Sequence, residues 1–523
     1  MIKKDNKLNK DKTRVKKTPR INNSNEFRAQ FIKRVVVYSI FGLLTIVLTL
    51  LVFYRAKGYT FTKNGQVEKR GIVLIDSAPV SAKIFLDGKE VDKTDSKLEV
   101  PEGDHIIRLE AEGYKTWQRS FAIGREKVIW FYYPFLIPET LSSELFITNQ
   151  TPKKYSKLSP AGEVVSFSKS SQNNLEAINL ELLNLKDEDP LKVAKPLIAP
   201  TTLFTRQASG GLGDISFVEW SPNGDSIYIQ HNYDGKQELI NLRVKNPLES
   251  QNLTRSLGTE VKELHYDSRS RVYALVGSEV AIYEPKTLAK EQVITSNASS
   301  FQVFSDDRFV FSQVTDSGSA IFVQEGQNIA VKVADLNTND VASFDYKYII
   351  NRRTPYLAIA NLNTKELQIF KNPLDTSLAT STSQPTAPLY LATFSELKSA
   401  NIEDSPGNSS QPGMYIAMQL TNSELFIYDF EEESSFSYKL TLKEQPEKQL
   451  DVLSYSWLDS HRLQARTVEG DVYYFDYDGN YLNLIGNTAQ EFSYFIKSKN
   501  RAFLVSNIES GSNQINLLNF KKK

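Results

Sequence analysis

The stretch DISFVEWSPNGDSIYIQHNYDGKQELINLRV, Asp214 to Val244, decides how the larger part of this chain is read. Phe217, Val218 and Trp220 make one strand, Ser221-Pro222-Asn223-Gly224 turns, and Ile227 to Ile229 returns. Asp234-Gly235 then offers the positive φ that a two-residue hairpin loop demands, and Leu239 to Leu242 makes a third strand. No 3.6-residue periodicity interrupts the pattern, so the unit is antiparallel β, and three or four such strands form one blade of a propeller.

Weaker copies follow at Leu264 (LHYDSRSRVYALVGSEVAIYEP), Phe301 (FQVFSDDRFVFSQV), Phe344, Met414 (MYIAMQLTNSELFIYDF), Tyr455 and Phe492. Another precedes the clear unit, with Val164 to Phe167 and Ala177 to Leu180. Starts lie 37 to 50 residues apart except for one 70-residue gap after Phe344, which is the spacing of propeller repeats. The gap holds the Ser/Thr/Pro-rich stretches Thr376–Pro388 and Asp404–Gly413, read as solvated surface loops. Seven or eight blades are predicted over 144–523. The last shows only three strands, so Leu145 to Thr148 is predicted to supply its fourth and close the ring. A tandem of β-sandwiches is the alternative. The Trp220 to Gly224 turn resembles the blade signature of TolB-like and WD40-like propellers, in which Asp often stands where this chain has Asn223.

Toward the N-terminus, residues 1–34 carry eight Lys and four Arg against Asp5, Asp11 and Glu26, a net of +9. The whole chain of 523 residues balances 62 basic against 62 acidic side chains, so the remainder carries −9. Val35 to Tyr54, VVVYSIFGLLTIVLTLLVFY, is uncharged and long enough to cross a hydrocarbon core of about 30 Å. Lys33, Arg34, Arg55 and Lys57 bound it, with Tyr38 and Tyr54 placed near headgroups. The reading is a retained transmembrane helix rather than a soluble core helix or a cleaved signal peptide. The cationic arm places the N-terminus in the cytoplasm and the rest outside the cell membrane. The arm itself reads as a disordered tail, with anionic lipid or nucleic acid as minor partners. Absence of Cys excludes disulfides, Cys-based zinc sites and thiol nucleophiles.

After a linker (55–70), residues 71–125 alternate strand and turn. Ile72 and Leu74, then Ile84 and Leu86, share faces, and Asp87-Gly88 marks a tight hairpin. Pro101-Glu102-Gly103 marks another, after which Ile107 and Leu109 oppose Arg108 and Glu110. With Ser77-Ala78-Pro79, Ala82 and Gly113-Tyr114, these residues make the segment resemble a PEGA domain, a small β-sandwich found mostly in prokaryotic envelope and surface-layer-type proteins. Asp104 replaces the eponymous Ala, and the family's Gly-x-Thr-Pro turn survives only as Thr94. The resemblance implies a scaffold or binding module and carries no catalytic residue. Residues 126–143, with Trp130, Phe131, Tyr132, Tyr133 and Phe135, are read together with Trp117 as packing between two domains rather than as an aromatic binding surface or membrane-proximal belt.

Motifs for chemistry are few. No Gly-x-Ser-x-Gly and no sialidase Asp box occur, and Ser209-Gly210-Gly211-Leu212-Gly213-Asp214 lacks the Lys of a phosphate loop, reading instead as flexible. His105, His231, His265 and His461 are scattered over separate β units and read as structural. Asp476-Tyr477-Asp478-Gly479-Asn480 has its Gly too early for an EF-hand and fits a hairpin. No catalytic, cofactor or metal residue is therefore assigned, and the binding residues are not identified. The fold class is mainly β: a transmembrane helix, a PEGA-like sandwich and a propeller. The predicted role is a non-catalytic, envelope-anchored binding or scaffold protein for a protein or glycan, with no nucleic acid bound by the exported region. A hydrolase using carboxylates that converge in the propeller channel and a plain structural spacer are the other readings.

Overall fold

A computed structural model describes residues 24–520, leaving aside 57–58, 62–66, 79–80, 150–152, 173–174, 188–195, 268, 270, 285–286, 305–306, 375–386, 407–412, 443–444, 490–492, 497–498 and 508–512. The cationic arm up to residue 23 and most of the two Ser/Thr/Pro-rich stretches thus lie outside the described residues.

Helix α1 runs Ser24–Ala56, beginning well before the predicted Val35. Glu26, Arg28, Gln30, Lys33 and Arg34 are good helix formers and extend the helix backwards from the apolar run. Its apolar part, Phe31–Tyr54, spans 24 residues, roughly 36 Å at about 1.5 Å each, long enough to cross a membrane. None of it is buried against protein, unlike the core helix of a soluble domain.

The small module contains β1 (Tyr59–Phe61), β2 (Val67–Ile75), β3 (Lys83–Leu86), β4 (Lys89–Lys93), β5 (Ser96–Pro101), β6 (Gly103–Glu110), β7 (Trp117–Ile123) and β8 (Val128–Phe131). One sheet joins β1, β2, β5 and β8, the other runs β4-β3-β6-β7. Their inner faces share Val73, Ile84, Val100, Ile107, Leu109, Trp117 and Phe131. Asp87 and Gly88 take φ of +49° and +82°, as the hairpin requires. Gly103 sits at φ +139°, an extended positive-φ geometry rather than the left-handed helical one. The aromatic segment is more than a connector. Val128–Phe131 alternates out and in, and pairs in parallel with β2, so the module extends beyond residue 125.

The large domain is a succession of antiparallel meanders. Eight four-stranded sheets follow Ser142 among the described residues, starting at Lys154, Asp214, Val261, Ala298, Phe344, Glu403, Val452 and Tyr494. The eighth, Tyr494–Ile496, Arg501–Asn507 and Asn513–Asn519, takes β9 (Ser142–Asn149) as its fourth strand, the closure read from Leu145 to Thr148. Each neighbouring pair of sheets shares a buried apolar cluster. The circle closes where Tyr155, Val164 and Leu183 of the first sheet meet Tyr494, Phe503 and Val505 of the eighth. Each sheet thereby buries both faces against its neighbours, the packing of a β-propeller rather than of tandem sandwiches.

Candidate functional site

In the eighth sheet the first strand lies at the edge opposite the closing strand, and every other sheet likewise begins at one edge in chain order, the edge that faces the central channel of a propeller. Charges on these strands act across non-neighbouring sheets, as only inner strands can. Lys157, just after the first inner strand, acts on Glu403 of the sixth sheet, and Lys347 of the fifth acts on His265 of the third. The lumen therefore gathers Lys157, Glu219, Glu263, His265, Asp345, Lys347 and Glu403, separated by up to 246 residues in sequence.

Enclosure by the lumen wall pushes the Glu219 carboxyl up to about 7 against the pull of Lys157, although 40% of the side chain stays open to the lumen. Burial likewise raises Glu263 to about 7, offset in part by the Phe301 N–H and Lys262. Asp345 and Glu403 are also raised by burial, opposed for Asp345 by Lys347 and two backbone N–H groups, and for Glu403 by Asn401, Lys157 and Lys347. Burial and Lys347 lower His265 to about 4, so it is neutral at pH 7 and its approach of 3.8 Å to Glu219 is not an ion pair.

Two of these carboxyls also hold the ring together. Glu263 accepts from Phe301 N at 2.9 Å, and Asp345 from Ile402 N at 2.9 Å, each reaching the next sheet's inner edge. Indoles reach the other way: Trp220 Nε1 donates to Lys157 O at 2.8 Å and Trp457 Nε1 to Glu403 O at 3.0 Å. Beside them opens a cavity of about 250 Å³ lined by Lys157, Glu403, Tyr455, Trp457, Gln464 and Phe495. The lumen offers carboxyls poised near neutrality, two ammonium groups and aromatic walls, a set able to bind polar ligands or exchange protons. Sequence spacing conceals it. The usable signal is an ionisable residue recurring in the first strand of successive units.

The second feature is the joint between the small module and the propeller. Trp117, fully buried, donates from Nε1 to Asp476 Oδ2 at 2.7 Å. Arg119 pairs with Asp478 at 3.1 Å and donates to the Tyr477 and Tyr133 hydroxyls. Tyr481 OH accepts from Ile137 N at 2.9 Å and donates to Lys115 O at 3.1 Å. Tyr133 stacks on His461 with centroids 4.8 Å apart, and Phe135 packs on Phe520 at 5.4 Å. Trp117, Tyr132, Tyr133 and Phe135 pack against the propeller, Phe131 lies in the PEGA core, and Trp130 has 59% of its surface exposed.

The segment Asp476 to Asn480 is this joint's clasp. Gly479 N donates to Asp476 O at 2.9 Å and Gly479 takes φ +79°, whereas Asp478 keeps negative φ, so the turn differs from Asp234-Gly235. Its two carboxyls are engaged by Trp117 and Arg119. His105 bonds Asp87 and Pro101 O, and His461 lies against Ser460 and Tyr132. His231 accepts from Gly213 N on Nε2 and donates from Nδ1 to Glu238. Burial alone would raise Glu238, but donation from His231, Thr205 and Asn252 holds it down at about 2. Among the described residues no group of three His, Asp or Glu could hold a metal. The loop read as flexible is instead pinned: Leu212 N donates to Glu176 at 2.6 Å, and a Cβ on Gly213 would lie 1.7 Å from Asn232 O.

Residues 70–137 match the PEGA domain family. No curated protein matches the chain. Among solved structures, Hsv2 of Kluyveromyces lactis is similar at 13% identity over 66% of this chain and 98% of its own, with a TM-score of 0.36. Dihydro-heme d1 dehydrogenase NirN in complex with DHE aligns at 11% identity over 74% of this chain and 71% of its own, TM-score 0.37. YCF48 from Cyanidioschyzon merolae aligns at 11% identity over 59% and 94%, TM-score 0.34. The small module is thus a PEGA domain, set between an apolar helix able to cross a membrane and a β-propeller.

Proposed function

We propose that this protein is a membrane-anchored, non-catalytic binding or scaffold protein. Its N-terminus lies in the cytoplasm, and its PEGA domain and propeller lie outside the membrane, where the propeller recognises an envelope protein or glycan. The observation that carries this reading is the joint: Trp117 through a buried bond, and Arg119 and Tyr481 through partly buried ones, lock the propeller onto the PEGA domain. A platform mounted this way is presented at a fixed attitude, which suits recognition. The inter-sheet bonds of Glu263 and Asp345 give those carboxyls a structural task that needs no reaction. Affinity capture from solubilised envelope by the full chain, against a variant ending at Glu139, tests the reading. Retention of a protein or glycan fraction that disappears with the propeller supports it, and equal retention by both chains refutes it.

A hydrolase working in the lumen is the second reading, favoured by Glu219 and Glu263 lying near 7, where general acid and base are most effective. Turnover of a cell-wall polysaccharide or peptide by the full chain, lost in Glu219→Gln or Glu263→Gln, would establish it.

A further inference from the structure

One face of the PEGA domain is left apolar. In β2 and β8 the inward residues Val73, Ile75 and Phe131 are buried in the core, and the alternate residues point the other way. Ile72 lies opposite Val128 and Leu74 opposite Trp130, so four apolar side chains stand side by side on the outer face of the sheet. Val128 is 45% and Trp130 59% exposed. Glu99 and Lys97 on β5 flank them, opposite Ile72 and Leu74. Phe131 fills the PEGA core and Tyr133 and Phe135 go to the joint, whereas strand register turns Trp130 outward.

Chain geometry says what lies beside this face. Helix α1 ends at Ala56, and Tyr59, three residues on, pairs with Lys69 of β2. That pairing brings β2 back to within roughly 5 Å of the membrane-exit segment. Ile72 follows three residues later, roughly 10 Å further along the strand, and the Leu74–Trp130 pair lies roughly 17 Å along. A sheet tethered this closely can lie along the bilayer surface, where an indole prefers the headgroup layer and a Lys can reach anionic lipid.

We propose that the Ile72, Leu74, Val128 and Trp130 face rests on the headgroup layer of the membrane that holds α1. Trp130 is its interfacial anchor, and Glu99 stays at the aqueous rim. The inference rests on α1 spanning that membrane. Together with the joint, this contact fixes how the propeller is tilted over the lipid surface.

The chain contains no Cys, so single cysteines can carry a nitroxide without background. The full chain is reconstituted in vesicles containing a nickel-chelating lipid, with the label at Val128→Cys on this face, Leu44→Cys inside α1, or Ile329→Cys. Ile329 is 93% exposed in the loop between Gly318–Glu325 and Val331–Leu336 of the fourth sheet, half a ring of sheets away from the joint. The expected result is a shortened relaxation time at Val128, none at Ile329, and relaxation by membrane-dissolved oxygen at Leu44. An unaffected Val128 label beside an oxygen-relaxed Leu44 label overturns this inference and leaves the anchor standing. A Leu44 label that oxygen does not relax overturns the anchor, and the inference with it. A Val128 label shielded from soluble nickel yet insensitive to nickel lipid means that a protein covers the face, which also refutes it.

Discussion

Asp476 is the residue at which pH should act on the joint between PEGA domain and propeller. It is 1% exposed, its Oδ2 accepts from Trp117, and its Oδ1 has no hydrogen-bond partner. Burial, helped by Asp478, pushes its carboxyl up to about 7 against the opposing Trp117 bond, Arg119 and Arg462. In an unfolded chain it titrates at about 3.9. Between those values the folded protein holds a proton that the unfolded chain releases, so stability is full below about 4 and falls as pH rises. At about 1.4 kcal/mol per unit, and with the folded carboxyl half-titrated at pH 7, the loss between pH 5 and 7 is about 2 kcal/mol, nearing about 3 kcal/mol by pH 8, where the curve levels. Asp476→Asn keeps an oxygen for Trp117 and abolishes the titration. The new amide group costs about 1–3 kcal/mol where it is unpaired, but this cost does not vary with pH. Urea unfolding of the full chain in detergent, followed by tryptophan emission at pH 5, 6, 7 and 8, should therefore show the wild type losing about 3 kcal/mol more than the variant across the series. Other titrating groups are common to both chains and cancel in the difference. Parallel pH profiles for wild type and variant would refute a carboxyl held protonated in the joint.

Arg119→Ala leaves the half-buried Asp478 without its cation and removes the bonds to the Tyr477 and Tyr133 hydroxyls, and should weaken the joint by about 1–3 kcal/mol, read as faster proteolytic separation of the PEGA domain from the propeller. Gly213→Ala puts a methyl group onto Asn232 O and should lower the thermal midpoint markedly, whereas Gly210→Ala, with open space at its Cβ, should cost far less even at its positive φ. Glu238→Gln exchanges a carboxylate held at about 2 by His231, Thr205 and Asn252 for an amide with one acceptor too few, and should cost about 2–3 kcal/mol at pH 7 by chemical denaturation. Deleting residues 142–149 exposes the edge of Asn513–Asn519 and should turn a monodisperse chain into an aggregating one by light scattering.

What could be read from sequence was local chemistry. The turn after Trp220 and the Asp87-Gly88 and Asp234-Gly235 hairpins declare themselves because the φ values they need are written in adjacent residues. Ring closure by Leu145 to Thr148 was legible for a different reason: a final unit with three strands leaves an edge that some other segment must pair. The lumen was not legible, because Glu219 and Glu403 belong to strands whose local pattern is ordinary, and only the ring brings them to one axis. The joint was half legible. An aromatic run forecasts packing, but nothing near Trp117 in sequence points to Asp476, 359 residues away. Assigning Val128 to Phe131 to a connector failed because its large side chains masked a two-residue alternation that pairs with β2.

That same short segment ties the domains together more firmly than a linker would. From Val128 to Asn149 the chain supplies a strand to the PEGA sheet, then Tyr133, Phe135 and Ile137 to the joint, then the strand that closes the propeller. The three tasks follow one another with only Pro138 to Leu141 between the last joint bond, at Ile137, and β9. Pulling the PEGA domain away would drag on the closing strand, whose release opens the ring between its first and eighth sheets. Cooperative unfolding of the two domains, rather than two separate transitions, is the consequence, and Arg119→Ala should be the substitution that uncouples them, because it weakens the joint without touching either sheet's register.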